Sequence, residues 1–358
     1  MFRNGDNAAI YGTGATGRTN MLRGVYAEIA AALGPSTANP RGLGTHHLRS
    51  EGTSGTDANH AFRIVMESNE TEFGIGAAFY LSLLPTDNNE TALISVRDTG
   101  NTAQCTLSVG TTGTLRLHTG TLGGAVVAES GVVLTAGSYF HVEARFTIGD
   151  SGACEVRVNG ATVLDVSGVD TQGSANAGAE QFTLGKIISP QAVVLDIADW
   201  FWWDASGPVD NDFLGDMQGI TLIPAADDTP SDWTRNTGAN DYEAIDDVTP
   251  DDDTTYVEAA AASDVSVYGL TDLPASVTDV IALISRPLLR KTDAGAGSAM
   301  VSVISTEASP ETQSDGADRA LNETYIYYSD LHTVDPATGV RWTPAAVNAA
   351  KLRLERTA

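Results

Sequence analysis

The stretch Tyr139–Asp165, YFHVEARFTIGDSGACEVRVNGATVLD, decides the fold class. Phe140, Val142, Ala144, Phe146 and Ile148 alternate with His141, Glu143, Arg145 and Thr147. After the turn residues Gly149-Asp150-Ser151-Gly152, Cys154, Val156 and Val158 alternate with Glu155, Arg157 and Asn159. A period of two with one apolar face predicts strands half-buried against a second sheet. Asn159-Gly160 adds the strongest short hairpin signal.

Similar runs extend outward from this pair. Residues 62–66, 73–84, 91–98, 103–109, 114–119, 181–187 and 193–203 all read as short strands, separated by gaps rich in Gly, Asn and Asp. We read residues 61–205 as one antiparallel β-sandwich and residues 206–215 as a linker. Residues 216–358 form a second β-rich domain, with strands expected at 217–223, 254–260, 265–270, 280–285, 300–305 and 324–329. Near the end, Thr343 followed by Pro344 reads as a helix cap with proline at the first helical position, and KLRLE as a closing strand. Residues 1–60 read as a loop-rich segment with one short helix, because Met21, Val25, Ile29 and Leu33 are spaced by four. The expected class is all-β: two antiparallel, jelly-roll-like sandwiches behind a short N-terminal segment.

Composition narrows the function. The 358 residues carry 20 Lys plus Arg against 46 Asp plus Glu, a formal charge of −26. Such a field repels phosphate backbones and argues against nucleic-acid binding. No run approaches a membrane span, so no membrane insertion is expected. The start MFRNGDNAAIYG lacks the pattern of a signal peptide, so synthesis in a cytoplasm without classical secretion is expected. The sequons at Asn69, Asn89 and Asn322 then read as chance matches. Cys105 and Cys154 lie on the apolar phase of their strands and read as small buried hydrophobes, with a disulfide between neighbouring strands as the alternative.

Four motifs bear on chemistry. Gly12–Gly17 fits the dinucleotide-binding glycine pattern, but no buried strand precedes it and no βαβ unit follows, so no cofactor is expected. His46-His47 lack a metal-ligand partner at helical spacing. Residues 196–255 hold sixteen acidic residues and one basic, Arg235. Within them Asp251 and Asp253 are the candidates for Ca²⁺, although the glycine and glutamate of a calcium loop are missing, and a solvated acidic turn is the plainer reading. Trp200-Phe201-Trp202-Trp203 is the densest aromatic run. Strict alternation groups Trp200 and Trp202 with Ala198, and Phe201 and Trp203 with Asp199. Asp199, Phe201 and Trp203 are therefore the candidate outward-facing ligand or interface residues, for sugar stacking or for packing against the second domain or a neighbouring subunit.

These strands resemble the laminin-G-like, concanavalin-type β-sandwich, in which an aromatic-His-Val run precedes a Val-Asn-Gly turn. Ile197–Trp203 is similar to that fold's closing strand, which places Trp200 and Trp202 in the core, and His141 matches a structural histidine. Glucanases of this fold carry a Glu-x-Asp-x-x-Glu strand for acid/base work. Glu67, Glu70 and Glu72 stand in the wrong order, and no Gly-x-Ser-x-Gly elbow is present. The expectation from this is that the chain is not an enzyme. The segments NDFLGDMQGITLIPAADDTPSDWT (211–234), DDDTTYVE (251–258), DLP (272–274), RKTDAGAGS (290–298) and DPATGVRWTPAAVNA (335–349) resemble a module common in tailed bacteriophages. That resemblance implies a virion structural protein of tail-fibre or baseplate type that displays a lectin-like domain for host-surface glycan. The alternative is a capsid decoration or head-fibre subunit with no ligand. Expected partners are other virion proteins, further copies of the chain in a trimer, and host glycan.

Overall fold

The structure is a computed structural model that describes residues 1–6, 26–29, 34–36, 47–51, 62–86, 90–187, 193–207 and 209–358. The Gly12–Gly17 motif and His46 lie outside the described residues. The chain divides into two compact units, Met1–Gly219 and Ile220–Ala358, and both are built from antiparallel strands.

The first unit contains β1 (Phe2–Asp6), β2 (Tyr26–Ile29), β3 (Gly34–Ser36), β4 (His47–Glu51) and β5 (Phe62–Glu70). It continues with β6 (Glu72–Leu81), β7 (Thr91–Arg97), β8 (Ala103–Val109), β9 (Thr114–Thr119) and β10 (Val126–Val132). The last five are β11 (Tyr139–Thr147), β12 (Gly152–Val158), β13 (Ala161–Val169), β14 (Ala179–Ile187) and β15 (Val194–Asp204). One sheet runs β13-β12-β11-β6-β15-β4-β3, with β1 also paired to β15. The other runs β10-β9-β8-β7-β14-β5-β2.

The alternation read at 139–158 is what buries these strands. Phe140, Val142, Ala144, Phe146, Cys154, Val156 and Val158 are all buried, as are Phe73, Ile75, Ala77 and Phe79 on β6. From the second sheet, Ile94, Val96, Cys105, Leu107, Leu115, Leu117, Phe182 and Leu184 complete the core. Phe182 meets Trp200 edge-to-face at 5.8 Å, which fixes contact between the two sheets. Cys105 and Cys154 are free thiols inside this core, and burial pushes both thiols up from their ordinary value. The turn after β12 is the two-residue Asn159-Gly160, with φ of 49° and 81°. Both residues of a type I′ hairpin turn need such angles.

Two expectations for the N-terminal segment are corrected. Tyr26–Ile29 is a strand, not part of a helix; the remainder of the expected helix lies outside the described residues. The open edge of β5 supplies backbone partners, pairing Tyr26 with Ile64, and these outweigh the helical spacing of four apolar residues. Nor is residues 1–60 a segment ahead of the sandwich, because β1 to β4 add strands to both sheets.

The second unit centres on an antiparallel sheet in which 224–231, 265–270, 351–356, 298–305 and 312–315 are neighbours in that order. Trp233, Tyr268, Val301 and Leu354 form one core cluster. Val280, Val303, Trp342, Ala346, Val347 and Ala350 form another. Thr343 caps the helix Pro344–Ala349 by accepting from the Ala346 N–H at 3.0 Å, and the closing strand is Lys351–Arg356. Residues 217–223 do not form the expected strand, which starts instead at Pro224.

His332 is buried in this unit, its Nδ1 2.8 Å from the Ser314 hydroxyl and its Nε2 3.2 Å from that of Ser285. Burial holds its imidazole below the ordinary value of 6.5, with Asp330 and Asp315 pulling the other way. The unfolded chain therefore takes up a proton before the folded one, and stability falls as pH drops below about 6.5.

Replacing Phe146 by Ala should cost about 3–5 kcal/mol of stability, measured by chemical denaturation. His332 is the only histidine after residue 219. The loss of stability of residues 220–358 between about pH 7 and pH 5 should therefore shrink in His332→Gln, read by amide exchange across 298–305 and 351–356.

Candidate functional site

The outer face of the first sheet carries the residues that alternate with the core. The ladder aligns Trp203 with Gly74, Arg145 and Glu155, and Phe201 with Gly76, Glu143 and Arg157. Strict alternation along β15 fails at Asp199. The pairing with β6 shifts between Ala198 and Phe201, and Asp199 takes a φ of 48°. This bulge changes the phase, so Ile197 and Trp200 both face the core, while Ala198 joins Phe201 and Trp203 on the outer face.

Phe201 and Trp203 do face outward, yet both are fully buried. Their rings lie on Gly74 and Gly76, where a Cβ would come within 2.1 Å of either ring. His141 stacks on Phe201 at 5.9 Å, and Phe213 meets Trp203 edge-to-face at 6.0 Å. His141 and Phe213, which supply these covering contacts, belong to this same unit. Residues 212–215, expected as linker, are part of it.

Glu143 fastens that cover. One carboxylate oxygen accepts from Trp203 Nε1 at 2.9 Å and from the Leu214 N–H at 2.8 Å, and the other from the Gly215 N–H at 2.9 Å. Burial raises its carboxyl above the ordinary value, against the pull of these three donors and of Arg157. Asp199 accepts from the Gly219 N–H at 3.0 Å, so its role here is to hold the same segment.

The calcium candidates are engaged in protein contacts. Asp251 accepts from the Thr255 N–H and hydroxyl, at 3.0 and 2.9 Å. Asp253 accepts from Arg290 at 2.5 Å and from the Tyr325 hydroxyl at 3.0 Å. Among the described residues no three acidic, His or Cys side chains converge as a metal site.

A second constellation lies on the outer face of the other sheet, where the sequence reading placed nothing. Arg63, Thr183, Ser95, Thr106 and His118 occupy one cross-strand row over β5, β14, β7, β8 and β9. Ser95 and Thr106 share a hydrogen bond of 3.0 Å; Thr183, Ser95, Thr106 and His118 are buried, Arg63 is half-buried, and Val65 on the same face is 52% exposed. At the row's end, Glu90 gathers three partners. His118 Nε2 stands 2.6 Å from one oxygen, Arg116 donates to the other at 2.8 Å, and the Ser108 hydroxyl donates at 2.5 Å. Arg116 also reaches Glu129 at 3.0 Å. Burial works against the Glu90 carboxylate, but the bonds from Ser108, Arg116 and His118 outweigh it and hold the group below its ordinary value.

This is not a serine relay. Such a relay needs the serine and the carboxylate on opposite nitrogens of the imidazole. Here Ser108 and Glu90 both approach Nε2, at 3.1 and 2.6 Å, and Nδ1 faces the Gly124 carbonyl at 3.3 Å. The cluster sets the part-exposed Arg116 guanidinium beside the Glu90 and Glu129 carboxylates, over the buried His118 imidazole and Ser108 hydroxyl. Glu90 and His118 are 28 residues apart, and only the β7-β8-β9 ladder joins them. The one signal in the sequence was the polar phase of TLRLHT (114–119), which sets Arg116 and His118 on one face.

No family model and no curated protein sequence matches the chain. Solved structures do resemble it, at low identity. The cellulose-induced protein Cip1 is 14% identical with a TM-score of 0.38, covering 48% of this chain and 84% of that one. An endo-β-1,4-glucuronan lyase from the fungus Trichoderma reesei is 13% identical at 0.39, over 56% and 95%. The alginate lyase Aly36B, in complex with alginate tetrasaccharide, is 14% identical at 0.37, over 55% and 95%. None of the three is named for a tailed-phage protein. The expectation that the chain is not an enzyme is corrected here: a missing glucanase strand excludes only that one chemistry, and this chain does bring a carboxylate and an imidazole together, Glu90 and His118 at 2.6 Å.

Gly76→Ala should drive a Cβ into the Phe201 ring and destabilise the first unit by about 1–3 kcal/mol, read as a lower denaturation midpoint.

Proposed function

We propose that the chain is a carbohydrate-binding virion protein of tail-fibre or baseplate type. In this reading the first unit presents the outer face of its second sheet to a glycan on the host surface. The carrying observation is the end of the polar row Arg63–Thr183–Ser95–Thr106–His118, where the part-exposed Arg116 and Glu129 and the carboxylate of Glu90 meet over the buried His118 and Ser108. Sugar recognition needs closely set donors and acceptors on a surface that is already ordered. The buried hydroxyls of the row bond one another and the backbone and so stiffen the face, and the cluster supplies charged groups fixed by one another. Ordering them before a ligand arrives reduces the entropy lost on binding. The virion placement rests on the resemblance of residues 211–349 to the tailed-phage module. Many copies on one particle would raise a weak single-site affinity by about 10²–10⁴.

The test is a glycan array probed with the intact protein, with wash fractions checked for shortened glycan. Binding by the wild type, reduced about tenfold or more in Arg116→Ala and His118→Ala, is the expected result. Binding that both variants leave unchanged would remove this face from consideration, and silence on the array would remove the glycan.

A further inference from the structure

We propose that residues Asp212–Gly219 are a strap that lifts from the first sheet as a unit, and that Phe213 is a place-holder for the apolar face of a pyranose ring on Trp203. This inference concerns the opposite sheet from the proposed glycan face and does not depend on it.

The floor is the first argument. Trp203 and Phe201 lie against two glycines, Gly74 and Gly76, whose missing side chains leave room for both rings on the outer face. Glu143, Arg145 and Arg157 stand beside them in the cross-strand rows. An aromatic plane ringed by charged hydrogen-bonding groups suits a sugar, which has an apolar face and a polar rim. Phe213 fills that position in cis, edge-on to Trp203, with the Arg157 guanidinium 3.7 Å from its own ring centroid.

The fastening is the second argument. The strap is not a strand of the sheet. Side chains of the sheet hold it: Glu143 on the Leu214 and Gly215 amides, Asp199 on the Gly219 amide, Tyr139 on Asp216 at 3.0 Å, and Arg145 with Asp212 at 3.5 Å. Phe213, Leu214 and Gly215 are half-buried, while Asp212 and Asp216 are exposed. A segment held by side chains over a finished sheet can open without breaking any ladder, which places it at the low end of local stability.

Amide exchange on the intact protein tests the strap. In the wild type, amides of 212–219 should exchange faster than those of β6 and β11. Glu143→Gln, which turns one of the two acceptor oxygens into a donor, should speed strap exchange by about 10- to 100-fold and leave β6 and β11 unchanged. Phe213→Ala tests the place-holder and also serves if Glu143→Gln does not fold. It should gain binding on an array of glucan, galactan and uronan oligosaccharides, and the gain should persist when combined with His118→Ala. Strap amides that exchange only together with the sheet would overturn the strap. A Phe213→Ala protein with an open strap and no more glycan bound than the wild type would overturn the place-holder.

Discussion

A carboxylate buried on the outer face of a sheet is costly unless donors surround it, and Glu143 has three. That requirement organises one side of the first unit. It draws the Leu214 and Gly215 amides down onto the sheet and fixes the indole of Trp203. Phe213 is thereby brought over the ring, and two large aromatics that alternation turns outward are closed from water. Remove the carboxylate and the apolar contacts remain, but the Leu214 and Gly215 amides and the Trp203 indole lose the acceptor they share.

The sandwich was legible in the sequence wherever period and turn chemistry agreed. Residues 139–158 show this best, since their apolar phase is buried throughout and Asn159-Gly160 turns with the expected angles. The Thr343-Pro344 cap was legible for the same reason: the contact that makes it lies three residues away. Local patterns stay readable because their partners are local.

What escaped the sequence depends on distant partners. The phase change at Asp199 is invisible in WFWW, because only pairing with β6 exposes the extra residue. Residues 212–215 resembled a linker, being polar and rich in turn formers, although a glutamate some seventy positions earlier ties them down. Tyr26–Ile29 carried helical spacing yet joined a sheet edge that no local rule foresees. The cluster around Glu90 draws on three strands and a loop, and none of its members stands out alone.

The polar row across the second sheet has a consequence of scale. Five neighbouring strands place Arg63 and His118 four strand spacings apart, roughly 19 Å at about 4.8 Å each. A single monosaccharide spans only part of that length. Any molecule that reached from the half-buried Arg63 to the part-exposed Arg116 and Glu129 at the other end would have to lie extended across the strands, with its repeat set against the spacing of the ladder. Backbone pairing would then act as a ruler, and chain length rather than the identity of one terminal unit would govern how many contacts are made.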